Sequence, residues 1–236
     1  MTNLKNKKVV AIIPARSDST RLPKKHLREA AGHTMLYYMA DRLSNAESID
    51  QVVLATTERS IDNELAEAAL QLGVEVYRGD LDNVIGRFAK AFNEYEGDIA
   101  IKANGDNPLL GIEVIEKCIQ QLNSNGVDLV TAKEAYTGIP IGLGAEILTR
   151  NTVEWLDQYT PEFKRDDTTR YVFEEETPIK WESVKCSNGW VLPGKSITVD
   201  TQDDFNFFEK VIKHLPDTYP RFWTTEMIVE TLKEIN

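Results

Sequence analysis

Five consecutive apolar residues, Val9-Val10-Ala11-Ile12-Ile13, break at Pro14 into Ala15-Arg16-Ser17-Asp18-Ser19-Thr20-Arg21-Leu22-Pro23-Lys24-Lys25-His26. An apolar run without alternation reads as a strand buried on both faces, the condition of a parallel sheet covered by helices on each side. Ligands in such open α/β sheets sit beyond the carboxyl ends of the strands. Residues 16 to 28 hold Arg16, Arg21, Lys24, Lys25 and Arg28 against one acid, Asp18. Arginine forks and lysine point charges on one loop suit a polyphosphate.

The rest of the composition narrows the partners. A formal net charge of −11 argues against a general nucleic-acid binder, which carries a basic domain or stripe. An anionic small substrate stays compatible, because charges farther than about 8 Å are screened at physiological salt and the local cations dominate. With 42% hydrophobic residues in 236, the chain can bury a core. Cys118 and Cys186 show neither a CxxC pair nor zinc spacing, so free thiols in a cytoplasmic protein are expected. Val9–Ile13 is too short for a signal-peptide core, and no stretch reaches the length of a membrane span.

Short apolar runs then alternate with amphipathic periods, which predicts βαβ units and a mostly parallel sheet. The pattern gives a helix near 34–44, a strand at 52–56, and a helix over 61–72 with Ile61, Leu65, Ala68, Ala69 and Leu72 on one face and Gly73 as its stop. A strand at 74–77, a helix at 81–95, a strand at 98–102, a helix at 112–122 and a strand at 127–131 follow. Beyond residue 133 the pattern loosens around Gly138, Pro140, Gly142 and Gly144, and this part is expected to leave the main sheet before a run at 145–148. A charged helix at 162–175, strands at 181–184 and 196–199, and helices at 205–215 and 224–235 complete the reading. No internal repeat or low-complexity segment occurs.

Three loops share one logic, an apolar strand giving way to polar residues of catalytic type: the basic loop at 14–28, Asn104-Gly105-Asp106, and Asp200/Asp203/Asp204. Carboxylates at strand ends beside a polyphosphate site suit Mg²⁺, which takes one or two carboxylates plus phosphate oxygens and water. The implied chemistry is metal-assisted transfer at phosphorus. Asp106 and Asp200 equally suit turn or helix-cap roles. His26 is placed to touch phosphate, while His33 and His214 read as surface or packing groups. No G-x-x-x-x-G-K-[ST] loop is present, and Gly142-Leu143-Gly144 precedes a strand rather than opening a helix, against a dinucleotide fingerprint.

These blocks resemble the cytidylyltransferases, the family of the acylneuraminate and 3-deoxy-manno-octulosonate enzymes, and within it the SpsF-like spore-coat polysaccharide branch. The resemblance rests on Ile13–Arg16 through Ser19–Lys25, on Arg78-Gly79 with Asp82-Asn83-Val84 and Arg87-Phe88, on Asn104–Leu109, on Pro140–Glu146 and on Thr198–Phe205. It implies an α/β, Rossmann-like nucleotide-diphospho-sugar transferase fold, with a mixed, mostly parallel sheet and helices on both faces. It also implies one nucleotidyltransferase domain over 1–236, in which 133–195 serves acceptor binding or dimerisation. The implied reaction moves CMP from CTP to a sugar or sugar-like acid in surface-glycan biosynthesis, releasing pyrophosphate.

By the same resemblance Arg16, Arg21 and Lys25 hold the triphosphate, and Pro14, Ala15, Ser17, Ala55, Thr56, Asn104 and Gly105 lie around the nucleotide. Asp106 and Asp200 bind Mg²⁺, and the catalytic set is Arg16, Lys25, Asp106 and Asp200. The acceptor sits near Arg78, Gly142, Glu146, Arg165 and Asp167. A homodimer is implied, with Trp155, Trp181 and Trp190 as interface anchors or core. The chain departs from the branch pattern in three places. Lys24 replaces a glycine, Arg165-Asp166-Asp167-Thr168-Thr169 replaces an Arg-Glu-His-Val-Thr run, and Gly144 stands where an aspartate is common. Guanylyl or uridylyl transfer to a sugar phosphate, glycosyl transfer on the same fold, and a silent nucleotide-binding relative stay open. The absence of Asp-x-Asp at the end of 98–102 weighs against glycosyl transfer.

Overall fold

A computed structural model describes residues 7–235. Strand β1 (Val9–Pro14) lies mid-sheet, with parallel β4 (Gln51–Thr57) on one side and parallel β6 (Ile99–Lys102) on the other. Its side chains alternate between two cores. Val9, Ala11 and Ile13 pack on one face of the sheet and Val10 and Ile12 on the other, which is why the run shows no polar alternation.

The first core is completed by α1 (Met35–Ser44), α2 (Asn63–Gln71), α4 (Ile112–Asn125), α8 (Gln202–His214) and α9 (Thr225–Glu234). The second is covered by α3 (Val84–Glu94), α6 (Arg150–Tyr159) and the short α7 (Arg170–Glu174), while α5 (Glu134–Thr137) is a single turn with no buried residue. Phe88 and Phe92, one turn apart on α3, are fully buried there and contribute about 2 kcal/mol each.

The full strand order is β5-β4-β1-β6-β8-β7-β9, with β5 at Glu75–Gly79, β7 at Leu129–Thr131, β8 at Glu146–Thr149 and β9 at Trp181–Ser183. A separate hairpin pairs β2 (Glu29–Ala30) with β3 (His33–Thr34). The stretch beyond residue 133 therefore does not leave the main sheet. Strand β8 inserts antiparallel between β6 and β7, and β9 adds parallel to β7. A four-residue strand buried at three of its positions carries too little pattern to announce its neighbours.

Four expectations are corrected locally. The helix over 162–175 is two short pieces, a 3-10 turn at Glu162–Lys164 and α7, because the Asp167 carboxylate accepts the backbone N–H groups of Thr169 and Arg170 and competes with helical bonding. Residues 196–199 form no strand and make only an isolated bridge from Ser196 to Ile141. Ile61 lies in a 3-10 turn ahead of α2 and is exposed, its place taken by buried Asp62. Asp200 does not cap α8; Thr201 does, in a capping box with Asp204.

Candidate active site

The carboxyl ends of β1 and β6 open on a cavity of about 560 Å³. Pro14, Ala15, Arg16, Arg21, Lys25, Asn104, Gly105, Asp106 and Asp167, all expected from sequence, line it. Gly105 permits the close approach of the two strand-end loops. A Cβ there would lie 2.7 Å from the Pro14 carbonyl oxygen and 2.9 Å from His26 Nε2.

Cations at one end are held by carboxylates. Lys25 Nζ donates to the Val199 carbonyl at 2.8 Å and lies 3.0 Å from Asp200 Oδ1, while Arg21 Nη2 lies 2.9 Å from Asp200 Oδ2. Arg16 Nε is 3.3 Å from Asp18, whose other oxygen takes Arg59 at 2.5 Å. The Arg59 hydrogen bond, with Arg16 nearby, draws the Asp18 carboxyl below its ordinary range. Beneath this loop Asp62 accepts the backbone N–H of Ser17 at 2.6 Å and the Thr57 hydroxyl. Arg78 braces the same turn through the carbonyls of Thr57 (2.9 Å) and Arg59 (2.8 Å).

Asp106 carries the clearest sign of a missing partner. Its Oδ1 is buried without a hydrogen bond. Burial first, and the neighbouring Asp200 charge as well, raise its pKa against the opposing pull of Lys25. The Val199 N–H donates to the Asp106 carbonyl at 2.8 Å, which ties the two acid-bearing loops together. Two carboxylates beside triphosphate-sized basic groups fit a hard divalent cation that completes its shell with phosphate and water. Among the described residues no three His, Cys, Asp or Glu side chains converge as a self-sufficient metal site.

The other end centres on Lys102, last residue of β6 and cross-strand partner of Glu146 on β8. Its ammonium lies 3.2 and 3.3 Å from the two oxygens of Asp167, 3.0 Å from Thr169 Oγ1 and 3.7 Å from Glu146 Oε2. Burial opposes this charge, but Glu146 and Asp167 outweigh it and raise the Lys102 pKa. Burial likewise opposes ionised Asp167, yet Lys102 and two backbone N–H groups bring it down to about 2. Beside this cluster a cleft of about 200 Å³ is lined by Asn104, Lys133, Glu134, Gly142 and Glu146. Gly144 also lines it, and a Cβ there would overlap the Ala132 carbonyl oxygen, so an aspartate does not fit this position without a backbone shift.

Several expected contacts fall outside the cavity. Ala55 and Thr56 are fully buried in β4, and the Ala55 carbonyl accepts from Ala15 and Arg87. Ser17 is buried beneath the loop, and Asp200 stands behind Arg21 and Lys25 rather than among the lining residues. Arg78 serves the turn at 57–59. Arg165 is spent on Asp157 and on Asn83, 2.8 Å away. Lys102 and Lys133 were not singled out from sequence, and Arg87 and Thr168 entered only as members of longer blocks without a role of their own. A lysine closing the apolar run Ile99-Ala100-Ile101 was the one available signal. His26 lines the cavity as a buried, neutral ring, its pKa driven to about 3 by burial and then by Lys25.

A cytidylyltransferase family model matches residues 10–235. The chain belongs to the cytidylyltransferase family. Among its relatives is the spore coat polysaccharide biosynthesis protein SpsF of Bacillus subtilis, 26% identical over 208 residues, covering 84% of this chain and 83% of that one. The 3-deoxy-manno-octulosonate cytidylyltransferase of Trichlorobacter lovleyi is 32% identical over 128 residues, 53% of this chain and 49% of its own. A solved cytidylyltransferase from Leptospira borgpetersenii superimposes with a TM-score of 0.87 at 27% identity, covering 97% of this chain and 94% of that one. This cytidylyltransferase thus shares the α/β nucleotidyltransferase fold expected from its sequence. No helix among its described residues is long and apolar enough to cross a membrane.

Proposed function

We propose that this cytidylyltransferase transfers CMP from CTP to a hydroxyl of a small sugar or sugar-like acceptor in surface-glycan biosynthesis, with release of pyrophosphate. The observation that carries the reading is the convergence of Arg21 and Lys25 on Asp200 beside Asp106, whose buried oxygen lacks a partner. Arg16, Arg21 and Lys25 turn from their carboxylates to the triphosphate. Pro14, Ala15, Asn104 and Gly105 form the wall against which the nucleoside lies. The acceptor enters from the Lys102–Asp167 end and the side cleft.

The acceptor oxygen bonds to the α-phosphorus, the bond from that phosphorus to the bridging oxygen breaks, and the hydroxyl proton passes to water. Arg16, Arg21 and Lys25 neutralise charge growing on the departing pyrophosphate, the point where preorganised donors act most strongly. Asp106 and Asp200 are the residues that would hold Mg²⁺, which supplies Lewis-acid polarisation of the phosphoryl oxygens. A homodimer through 133–195 belongs to the same reading, since Tyr136, Tyr159 and Phe163 stay exposed there. Light scattering on the purified chain measures that mass directly.

Thermal stability with CTP, GTP, UTP and ATP, each with and without Mg²⁺, tests the nucleotide. A ligand at a hundred times its Kd stabilises by about 2.7 kcal/mol. A Mg²⁺-dependent shift confined to CTP is expected. A shift with GTP or UTP alone transfers the reading to another nucleotidyl group, and no shift with any of the four removes it.

A further inference from the structure

Donor and acceptor counts at the Lys102 end restrict the acceptor's chemistry. An ammonium has three hydrogens. Those of Lys102 face Asp167 Oδ1, Asp167 Oδ2 and Thr169 Oγ1, so none is left for a ligand. Lys133 sits 3.8 Å from Glu146 Oε1 and 3.7 Å from the Phe173 ring centre, so an anion and a π-face balance its charge at ion-pair range, beyond hydrogen-bond distance. The guanidinium of Arg165 is engaged with Asp157 and Asn83, and that of Arg87 with the carbonyls of Ala55, Asp80 and Leu81. Carboxylates meanwhile outnumber cations, with Asp82, Asp166 and Asp167 on the cavity wall and Glu134 and Glu146 in the side cleft against Arg87, Lys102 and Lys133, although Asp166 is paired with Arg170.

A buried carboxylate oxygen and a buried hydroxyl bear on the acceptor's chemistry. Glu146 is 4% exposed and its Oε2 has no hydrogen-bond partner, the Lys102 ammonium being too distant at 3.7 Å. Thr168 is 1% exposed, lines the cavity, and its hydroxyl is likewise unpartnered. The hydroxyl can donate or accept, so Glu146 decides the matter: an unmet buried carboxylate oxygen is costly, and what satisfies it is a donor. We infer that this end of the cavity, together with the side cleft that Glu146 lines, takes a neutral polyol or an ammonium-bearing polyol, with Glu146 as the residue that selects against a carboxylate or phosphate on the acceptor. The inference rests on the nucleotidyl-transfer reading and narrows it, setting aside the sugar acid that the sequence resemblance implied.

The test uses α,β-methylene-CTP, which cannot release pyrophosphate, with Mg²⁺ and three probes on one carbon skeleton: D-glucitol, D-gluconate and 1-amino-1-deoxy-D-glucitol. Calorimetric titration of the analogue comes first, and failure to bind it overturns the transfer reading together with this inference. On the nucleotide-loaded protein, ligand-observed NMR titrations give the three dissociation constants. The amine is expected to bind at least about tenfold tighter than gluconate, as a hydrogen bond to a charged group implies. In Glu146→Gln that margin is expected to fall to about threefold or less. Gluconate binding as tightly as the amine or glucitol, or no binding of any probe to loaded wild type, overturns the inference even if the variant fails to fold.

Discussion

Asp200 faces Lys25 across 3.0 Å and Arg21 across 2.9 Å, so one carboxylate holds two of the three cations that the transfer reading assigns to the triphosphate. Removing it frees both cations from their alignment and takes away one of the two acids placed to hold the metal. Asp200→Ala is expected to lower the rate of pyrophosphate release by at least about 100-fold, the scale on which preorganised electrostatic groups act. The fold is expected to survive, because Thr201 and Asp204 rather than Asp200 cap α8. Turnover near wild type at an unchanged melting temperature would remove Asp200 from the machinery.

A buried neutral histidine gives a pH dependence of known sign. His26 has a folded-state pKa near 3, set by burial and then by Lys25, against 6.5 for a free ring. The unfolded chain therefore takes up a proton below pH 6.5 that the folded chain refuses until about pH 3, and stability falls as pH drops through that window. The slope approaches about 1.4 kcal/mol per pH unit for one proton. Asp167 acts lower, its contribution being lost between its free value of 3.8 and about 2. Urea midpoints from pH 7 to 4.5 should fall in wild type and flatten in His26→Gln; parallel curves would refute the assignment.

The three loops were legible because each follows a run of buried strand residues, and a strand end is where an α/β sheet exposes polar groups. Arg16, Arg21, Lys25 and Asp106, which line the cavity, all follow such runs. Lys102 and Glu146 were not legible as a pair, since only the antiparallel insertion of β8 beside β6 places them in register. The Asp62 anchor under Ser17 and the bracing role of Arg78 are contacts between loops that no local periodicity encodes. Strands β7 and β9 fall within the runs predicted at 127–131 and 181–184, but at three residues each they are too short for their pairing beside β8 and with each other to be read from pattern.

Lys24 gives a backbone test. It sits at φ 53°, in the left-handed region, where a Cβ costs about 1–2 kcal/mol and glycine costs little. Its ammonium pairs with Glu64 at 2.5 Å on the exposed surface, a contact worth about 0–1 kcal/mol. Lys24→Ala loses the pair and keeps the strain, whereas Lys24→Gly loses the pair and relieves the strain. The glycine variant is expected to be about 1 kcal/mol more stable than the alanine variant by urea denaturation. Equal midpoints would show that the turn is not strained.

Arg42 is the largest single polar commitment of the core. It lies on α1 at 1% exposure, and its guanidinium donates to the carbonyls of Leu110 at 2.9 Å, Pro220 at 2.6 Å and Trp223 at 2.8 Å. Burial pulls its pKa down to about 10, with Glu113 and Asp41 opposing, so the group stays charged at neutral pH. One side chain thus joins α1 to the loop before α4 and to the segment leading into α9. Arg42→Met keeps most of the volume and leaves the Leu110 and Trp223 carbonyls unmet, while that of Pro220 keeps the Trp223 N–H, and a loss of about 2 kcal/mol or more is expected because unsatisfied buried groups cost about 1–3 kcal/mol each. Arg42→Lys retains the charge without the fork and should recover only part of that loss. Denaturation midpoints for the two variants decide the matter: a methionine variant as stable as wild type would mean that the Leu110 and Trp223 carbonyls find water or new partners, and that the C-terminal segment is held by apolar contacts such as Trp223 against Tyr38 instead.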